Sequence, residues 1–211
     1  MYNRKFCRLR DLCTIQLGFT ARARFQSAAD GVPVVQLGDL NGPALPPPER
    51  LLRVHLEGRL DRYQAAGGDV LFRSRGAHNI AVVVDDRFIE PLVAVLPLMI
   101  LRPDPSLILP DYLAWAINQP AAQRQLGAGA QGTNLRMVQK AMLDLVELDV
   151  PDLATQQRII AVANLAAQEE TLLHTLAATR RRLANQRLAQ CAEGKRPPPK
   201  TPSATTKESR V

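Results

Sequence analysis

The feature that most constrains this chain is its division at Val150-Pro151-Asp152. About 150 residues precede it, enough for one globular domain, and almost nothing follows but one helix-forming stretch and a basic tail. Val162, Leu165, Leu172, Leu176, Thr179 and Leu183 recur at alternating three- and four-residue intervals, the spacing of a coiled-coil seam. Glu169 occupies the position in that series that should be apolar. With Thr155 as N-cap, a helix running to Glu193 would span about 55–60 Å at about 1.5 Å per residue. A domain of this size has a radius of gyration of roughly 15 Å, so part of the seam needs a partner. The alternative is a terminal helix folded back on its own domain. The expected architecture is α+β: a mixed globular domain over 1–150, a long helix over 151–193 whose seam takes a partner, and a disordered basic tail over 194–211.

Charge has to be located before it is interpreted. The net charge is +7, but the tail holds five basic residues (Lys195, Arg196, Lys200, Lys207 and Arg210) against Glu208 alone. The remainder is only mildly basic, so a polyanion partner must be argued from where particular arginines sit and not from the isoelectric point. Aromatic residues make up 4% of the chain, too few for base-stacking platforms, which counts against a single-strand binder. Cys7, Cys13 and Cys191 form no pair of metal-ligand couplets and leave an odd thiol, as expected in a reducing cytoplasm. The longest apolar run, Leu92 to Leu101, is interrupted by Pro97, and the N-terminus lacks a signal-peptide apolar region. A soluble protein with no membrane partner is expected.

Along the domain, Phe6, Leu9, Leu12 and Ile15 fall at three-residue spacing and predict a short helical turn closed by Gly18. Val32 to Gly38 reads as a strand, and Asn41-Gly42-Pro43 with Pro46-Pro47-Pro48 demands a loop. Val70-Leu71-Phe72 and Ile80 to Val84 predict a hairpin whose connection is Arg-Ser-Arg-Gly-Ala-His-Asn. Leu92 to Arg102 predicts one strand or two, with Pro97 on an edge or bulge. Helices are expected from Pro110 to Asn118, from Ala121 to Leu126 and from Met137 to Leu143, and a half-buried strand from Leu145 to Val150.

Catalytic motifs do not emerge. There is no glycine-rich phosphate loop, His-Glu-x-x-His, Gly-x-Ser-x-Gly or paired Cys-x-x-Cys, and Asn118-Gln119-Pro120 departs from the Asn-Pro-Pro-aromatic motif of an amino-methyltransferase. A non-enzyme without metal or cofactor of its own is the expectation. Recognition chemistry is better represented. Arginine can take guanine N7 and O6 together, and asparagine and glutamine can match adenine. Three polar clusters offer these groups: Arg22 and Arg24; Arg73, Arg75, His78 and Asn79 on the hairpin tip; and Gln131, Thr133, Asn134, Arg136 and Lys140 on a glycine-flanked turn and the helix it opens.

Taken in order, Leu17-Gly18-Phe19-Thr20, Pro33 to Leu40, Gly68-Asp69-Val70-Leu71-Phe72 with Ser74-x-Gly76, Gly132-Thr133-Asn134-Leu135, and Val-Pro-x-Leu-x-x-Gln-x-x-Ile from Val150 to Ile159 resemble one target-recognition domain and one conserved helix of the specificity subunit of Type I restriction-modification systems. The resemblance covers about residues 9–190 and lies in the order of weak motifs. It implies a non-catalytic subunit that reads double-stranded DNA in the major groove, with 151–193 as a spacer or dimerisation helix that pairs with a second such helix as an antiparallel coiled coil. It also implies a methyltransferase subunit as partner, which carries the S-adenosylmethionine and the catalytic residues. Full-length members hold two recognition domains and two spacer helices. This half-length form would pair with itself or with a second half-subunit, and a homodimer would read an interrupted palindrome. The competing expectation is a coiled-coil module that organises a protein complex without touching DNA.

Overall fold

A computed structural model describes residues 5–21, 23–76, 79–128 and 137–192. Contacts divide the chain into two compact units, 1–161 and 162–211. In the first, the strands are β1 (Lys5–Arg8), β2 (Cys13–Leu17), β3 (Val32–Val35), β4 (Leu52–Val54), β5 (Gln64–Ala65), β6 (Val70–Arg73), β7 (Ala81–Val83), β8 (Leu92–Ala94), β9 (Leu98–Pro103) and β10 (Glu147–Val150). The helices are α1 (Pro110–Asn118), α2 (Pro120–Ala128) and α3 (Lys140–Asp144), and α4 (Leu153–Ala192) begins in this unit and continues into the second. The chain is α+β.

The central layer is the antiparallel sheet β2-β9-β6-β7, with Leu71 opposite Ile100 and Phe72 opposite Met99. Its strands read as continuous apolar runs because both faces are covered, and successive side chains alternate between them. Val70, Phe72, Met99 and Leu101 pack with Leu113 and Ile117 of α1. Leu71, Val82, Leu98 and Ile100 face Val35, Leu92 and Ala94 of a second sheet, β4-β3-β8-β5, in which β3 and β8 run parallel. The outer strand β7 is tied to α1 by one amide: Asn118 Oδ1 accepts from Ala81 N at 2.9 Å, and Asn118 Nδ2 donates to Ala81 O at 2.8 Å. Setting the Asn118 amide against an open strand edge satisfies backbone groups that would otherwise lack a protein partner.

Four local expectations are corrected. Phe6 to Ile15 is not a helical turn. β1 pairs with β10, β2 pairs with β9, and a 3-10 turn over Leu9–Asp11 joins them. Residues three apart then land on opposite sides of a corner, so Leu9 is fully buried while Phe6 is exposed. Pro97 marks neither an edge nor a bulge. It follows a cis peptide bond in the turn at which the chain leaves the second sheet for the central one, and both β8 and β9 are inner strands. The helix expected from Met137 begins only at Lys140, because Met137 bridges to Arg75 and Val138 N donates to Ser74 O at 2.8 Å. The cap of α4 is Asp152, not Thr155. Asp152 Oδ1 accepts from Thr155 N at 2.8 Å and its carbonyl accepts from Gln156 N at 2.9 Å, so Thr155 sits at the third helical position.

The start of α4 is held by a buried side chain. Gln156 is wholly inaccessible, its Oε1 accepts from Leu109 N at 2.9 Å, and its Nε2 donates to Leu107 O at 3.1 Å and Pro151 O at 2.8 Å. Ile159 and Ile160 pack at the edge of the same core. In the second unit α4 continues to Ala192, and its described residues are exposed apart from the half-buried Ala163. Among the described residues no helix is long and apolar enough to cross a membrane.

Candidate nucleic-acid interface

One turn organises the polar loops. Between β8 and β9, Ala94 O accepts from Phe19 N (2.7 Å), Leu98 O accepts from Gly18 N (3.0 Å), and Leu96 N donates to Phe19 O (3.0 Å). These bonds anchor the loop that carries Arg24. Pro97 O accepts from both Ser74 N (3.2 Å) and Ser74 Oγ (2.5 Å), which anchors the hairpin loop carrying Arg75. Ser74 O and the Arg75 bridge then hold Val138 and Met137, the residues that follow the Gly132-Thr133-Asn134 segment. The loops that carry Arg24 and Arg75 are therefore strung on a single turn, although they come from distant parts of the sequence, and Met137 and Val138 are bound to the second of them.

This anchoring explains two glycine motifs. A Cβ on Gly18 would lie 2.8 Å from both Ala94 O and Leu98 O, so the close approach of the two backbones leaves no room for a side chain. Gly76 has φ +135°, and a Cβ there would lie 2.7 Å from Arg73 Nη2. Left-handed backbone and a guanidinium in the adjacent space both call for glycine.

The candidate side chains separate into two kinds. Arg73 is half-buried and already occupied: Nε donates to Arg75 O at 3.1 Å, and Nη1 donates to Leu40 O and Asn41 Oδ1, both at 3.0 Å. It staples the hairpin loop to the loop after β3. Asn79 Nδ2 donates to Arg73 O at 3.0 Å across the same loop, and Lys140 pairs with Asp144 one helical turn away at 2.7 Å. Arg24 and Arg75 are exposed and make no side-chain bond with the described residues. Arg22, His78, Gln131, Thr133, Asn134 and Arg136, together with the tail, lie outside the described residues. The seam residues Val162, Leu165, Leu172, Leu176 and Leu183 are exposed on α4.

A fourth loop escaped the sequence reading. Residues 55–63, between β4 and β5, line a cleft of about 1050 Å³ with Arg24, Phe25 and Ser27, contributing His55, Gly58 and Tyr63. Phe19 meets Tyr63 edge to face at 5.4 Å, and the Arg62 guanidinium lies 4.6 Å from the Tyr63 ring centre. The flanking strands have three and two residues, too short for a periodic signal. Only the polar-aromatic composition of the loop could have pointed to it.

Several other arginines of this unit sit beside carboxylates: Arg53 by Glu90, Arg87 by Asp85 at 2.6 Å and Arg102 by Asp69 at 3.5 Å. The Arg87 guanidinium holds the Asp85 carboxyl below the usual carboxylate range. Arg24 and Arg75 are among the cations of this unit that have no carboxylate partner within the described residues. Among the described residues no group of three or more His, Cys, Asp or Glu could hold a metal ion.

No protein-family model matches the chain, and no curated protein matches it significantly. Solved structures do. The HsdS subunit from Thermoanaerobacter tengcongensis is 21% identical with a TM-score of 0.57, over 81% of this chain and 39% of that one. The S subunit of the Type I restriction-modification system of M. genitalium is 14% identical with a TM-score of 0.58, over 90% and 46%. A chain from work on assembly and conformational transition of the type I R-M system is 22% identical with a TM-score of 0.64, over 89% and 44%. This chain therefore spans less than half the length of each structure it matches. The fold that carries these loops and this helix is that of the Type I restriction-modification specificity subunits.

Proposed function

We propose that this chain is the DNA-recognition component of a Type I restriction-modification complex, reading double-stranded DNA without catalysing a reaction itself. The observation that carries this reading is the convergence of two polar loops on the Ala94–Leu98 turn, with Arg24 and Arg75 left unpaired among the described residues. Loops fixed by backbone bonds present their side chains in a set geometry, which direct readout of base edges requires. The solved S subunits have the same fold. The chain would work in the cytoplasm beside a methyltransferase subunit that binds S-adenosylmethionine and performs the transfer, and α4 would pair with a second such helix.

The roles within the reading surface follow from the contacts. Arg24 and Arg75 approach the bases or phosphates, with Gln131, Thr133, Asn134 and Arg136 of the neighbouring segment as proposed readers. His55 and Tyr63 flank the path at Arg24. Arg73 and Asn79 position the hairpin loop and do not themselves read.

Fluorescence anisotropy with a duplex library, at low and raised salt, tests this. Affinity should fall steeply with salt. Arg75→Ala or Arg24→Ala should weaken binding by about 1–3 kcal/mol for a base-reading contact, and more uniformly across sequences for a phosphate contact. Unchanged affinity in both variants would sink the assigned surface. The exposed seam of α4 favours a second reading, a coiled-coil organiser that does not touch DNA, and that reading is upheld if the chain associates yet fails to retain duplex at low salt.

A further inference from the structure

The exposed seam of α4 is interrupted in two places, by Glu169 and by the run Arg180-Arg181-Arg182. We infer that these interruptions are complementary halves of one device, an interchain ion pair between Glu169 and Arg180 that sets two copies of this chain antiparallel about a twofold axis at the level of His174. The inference deepens the reading that α4 pairs with a second helix, and it names the occupant and the register.

Packing limits the choices. Leu165, Leu172, Leu173 and Leu176 are 66%, 69%, 59% and 47% exposed, more apolar surface than a single helix keeps against water without cover. Facing layers in an antiparallel pair join a first seam position to a fourth, so only a few registers are available. With the axis at His174, Leu172 packs on Leu176 of the second copy and Leu165 on Leu183. Leu173 then meets its own equivalent beside the axis. Moving the axis half a heptad toward the N-terminus sets Glu169 against Leu172, and moving it as far the other way sets Leu165 against Gln190. Both lose leucine layers.

Charge selects the same arrangement independently. In this register Glu169 lies within one residue's rise, about 1.5 Å along the axis, of the level of Arg180 in the second copy, on the same side of the seam. Symmetry makes this pair twice. A parallel, in-register pair would instead set Glu169 against Glu169 and the three arginines against themselves, and like charges at such positions are unfavourable. Residues that look like defects in one helix thus become the specificity element of two.

The full-length chain tests this by analytical ultracentrifugation without DNA. The wild type should be a dimer. Glu169→Arg alone and Arg180→Glu alone should each weaken it by about tenfold or more, since two attractions become two repulsions. An equimolar mixture of the two variants should recover a one-to-one heterodimer, because each then supplies the charge the other lacks, and this recovery excludes a mere folding defect. Nitroxide labels on the exposed Cys191, in a Cys7→Ser background, should lie about 50 Å apart, from 17 residues on each side of the axis at about 1.5 Å per residue. A wild-type monomer, single variants that associate like the wild type, or a label distance of about 10 Å, as for parallel helices in contact, would each overturn the proposal. A monomer that still retains duplex sinks the pairing alone, and a dimer that does not bind duplex sinks the recognition reading alone.

Discussion

The same helix lives in two environments. From Leu153 to Ala161 it belongs to the compact unit: Gln156 is wholly buried with both ends of its amide engaged, and Ile159 and Ile160 lean on the core. From Val162 onward every described residue but Ala163 is exposed, leucines included. Nothing in helix propensity separates the stretches, since both are rich in Ala, Leu and Gln. The difference is supplied by the chain elsewhere: Leu107, Leu109 and Pro151 offer backbone groups that only a glutamine in that place satisfies. A polar residue can thus be the most deeply anchored in a helix whose apolar residues lie open.

Cysteine chemistry gives the largest contrast to break. Burial, with Asp144 nearby, pushes the Cys13 thiol up to about 12 from 9.0, and its Sγ donates to Leu9 O at 3.3 Å. At pH 8 its thiolate is then about a thousandfold scarcer than in the unfolded chain, and thiolate is the reactive form. The exposed Cys191 should react promptly with a chromogenic disulfide, and Cys13 only upon unfolding. Because the folded pKa is raised, the associated stability is complete below pH 9 and lost as pH rises toward 12. Prompt labelling of Cys13 in native protein would show that this core opens.

Gln156→Ala should follow in size. It orphans the Leu109 amide and two carbonyls inside the domain, costing about 2–4 kcal/mol, read from the midpoint of urea unfolding. A loss below about 0.5 kcal/mol, the ordinary level for surface substitutions, would mean that water replaces the amide and that the two stretches are less different than described.

Acid should act more weakly. Hydrogen bonds from the Thr155 amide and hydroxyl hold the Asp152 carboxyl below the usual carboxylate range. Its contribution is therefore present above the unfolded pKa and lost as pH falls through the folded one. Asp152→Asn should flatten that part of the stability-pH curve while keeping the cap, and an unchanged curve would remove Asp152 from the account.

The smallest expected effect is none. Leu172→Glu with Leu176→Glu should leave thermal unfolding of the first unit within about 0.5 kcal/mol of the wild type in dilute solution, where association does not contribute. A large shift would show that those leucines are covered by their own chain.

Legibility in the sequence followed the range of the forces involved. β6 and β7 could be read because a turn delimits each and their apolar runs are short. α1 could be read from Pro110 and the Leu113-Ile117 spacing. Phe6 to Ile15 was misread because a three-residue period fits both a helix and a corner between strands, and only the pairing of β1 with the distant β10 decides. The site divides similarly. The clusters at Arg24 and Arg75 could be picked out by residue type, but their common anchor at the Ala94–Leu98 turn is a tertiary fact. Arg73 looked like a reader because composition does not show that Leu40 and Asn41 already occupy its guanidinium.

The turn between β8 and β9 has a consequence for change over time. It holds the Arg24 and Arg75 loops largely through main-chain atoms, with Gly18 and Ser74 as its local requirements. Residues farther out on those loops therefore carry little of the burden of folding. In the proposed role, they can be exchanged for others that favour different base pairs while the platform beneath stays in place, so a new preference in DNA would arise without a new protein architecture.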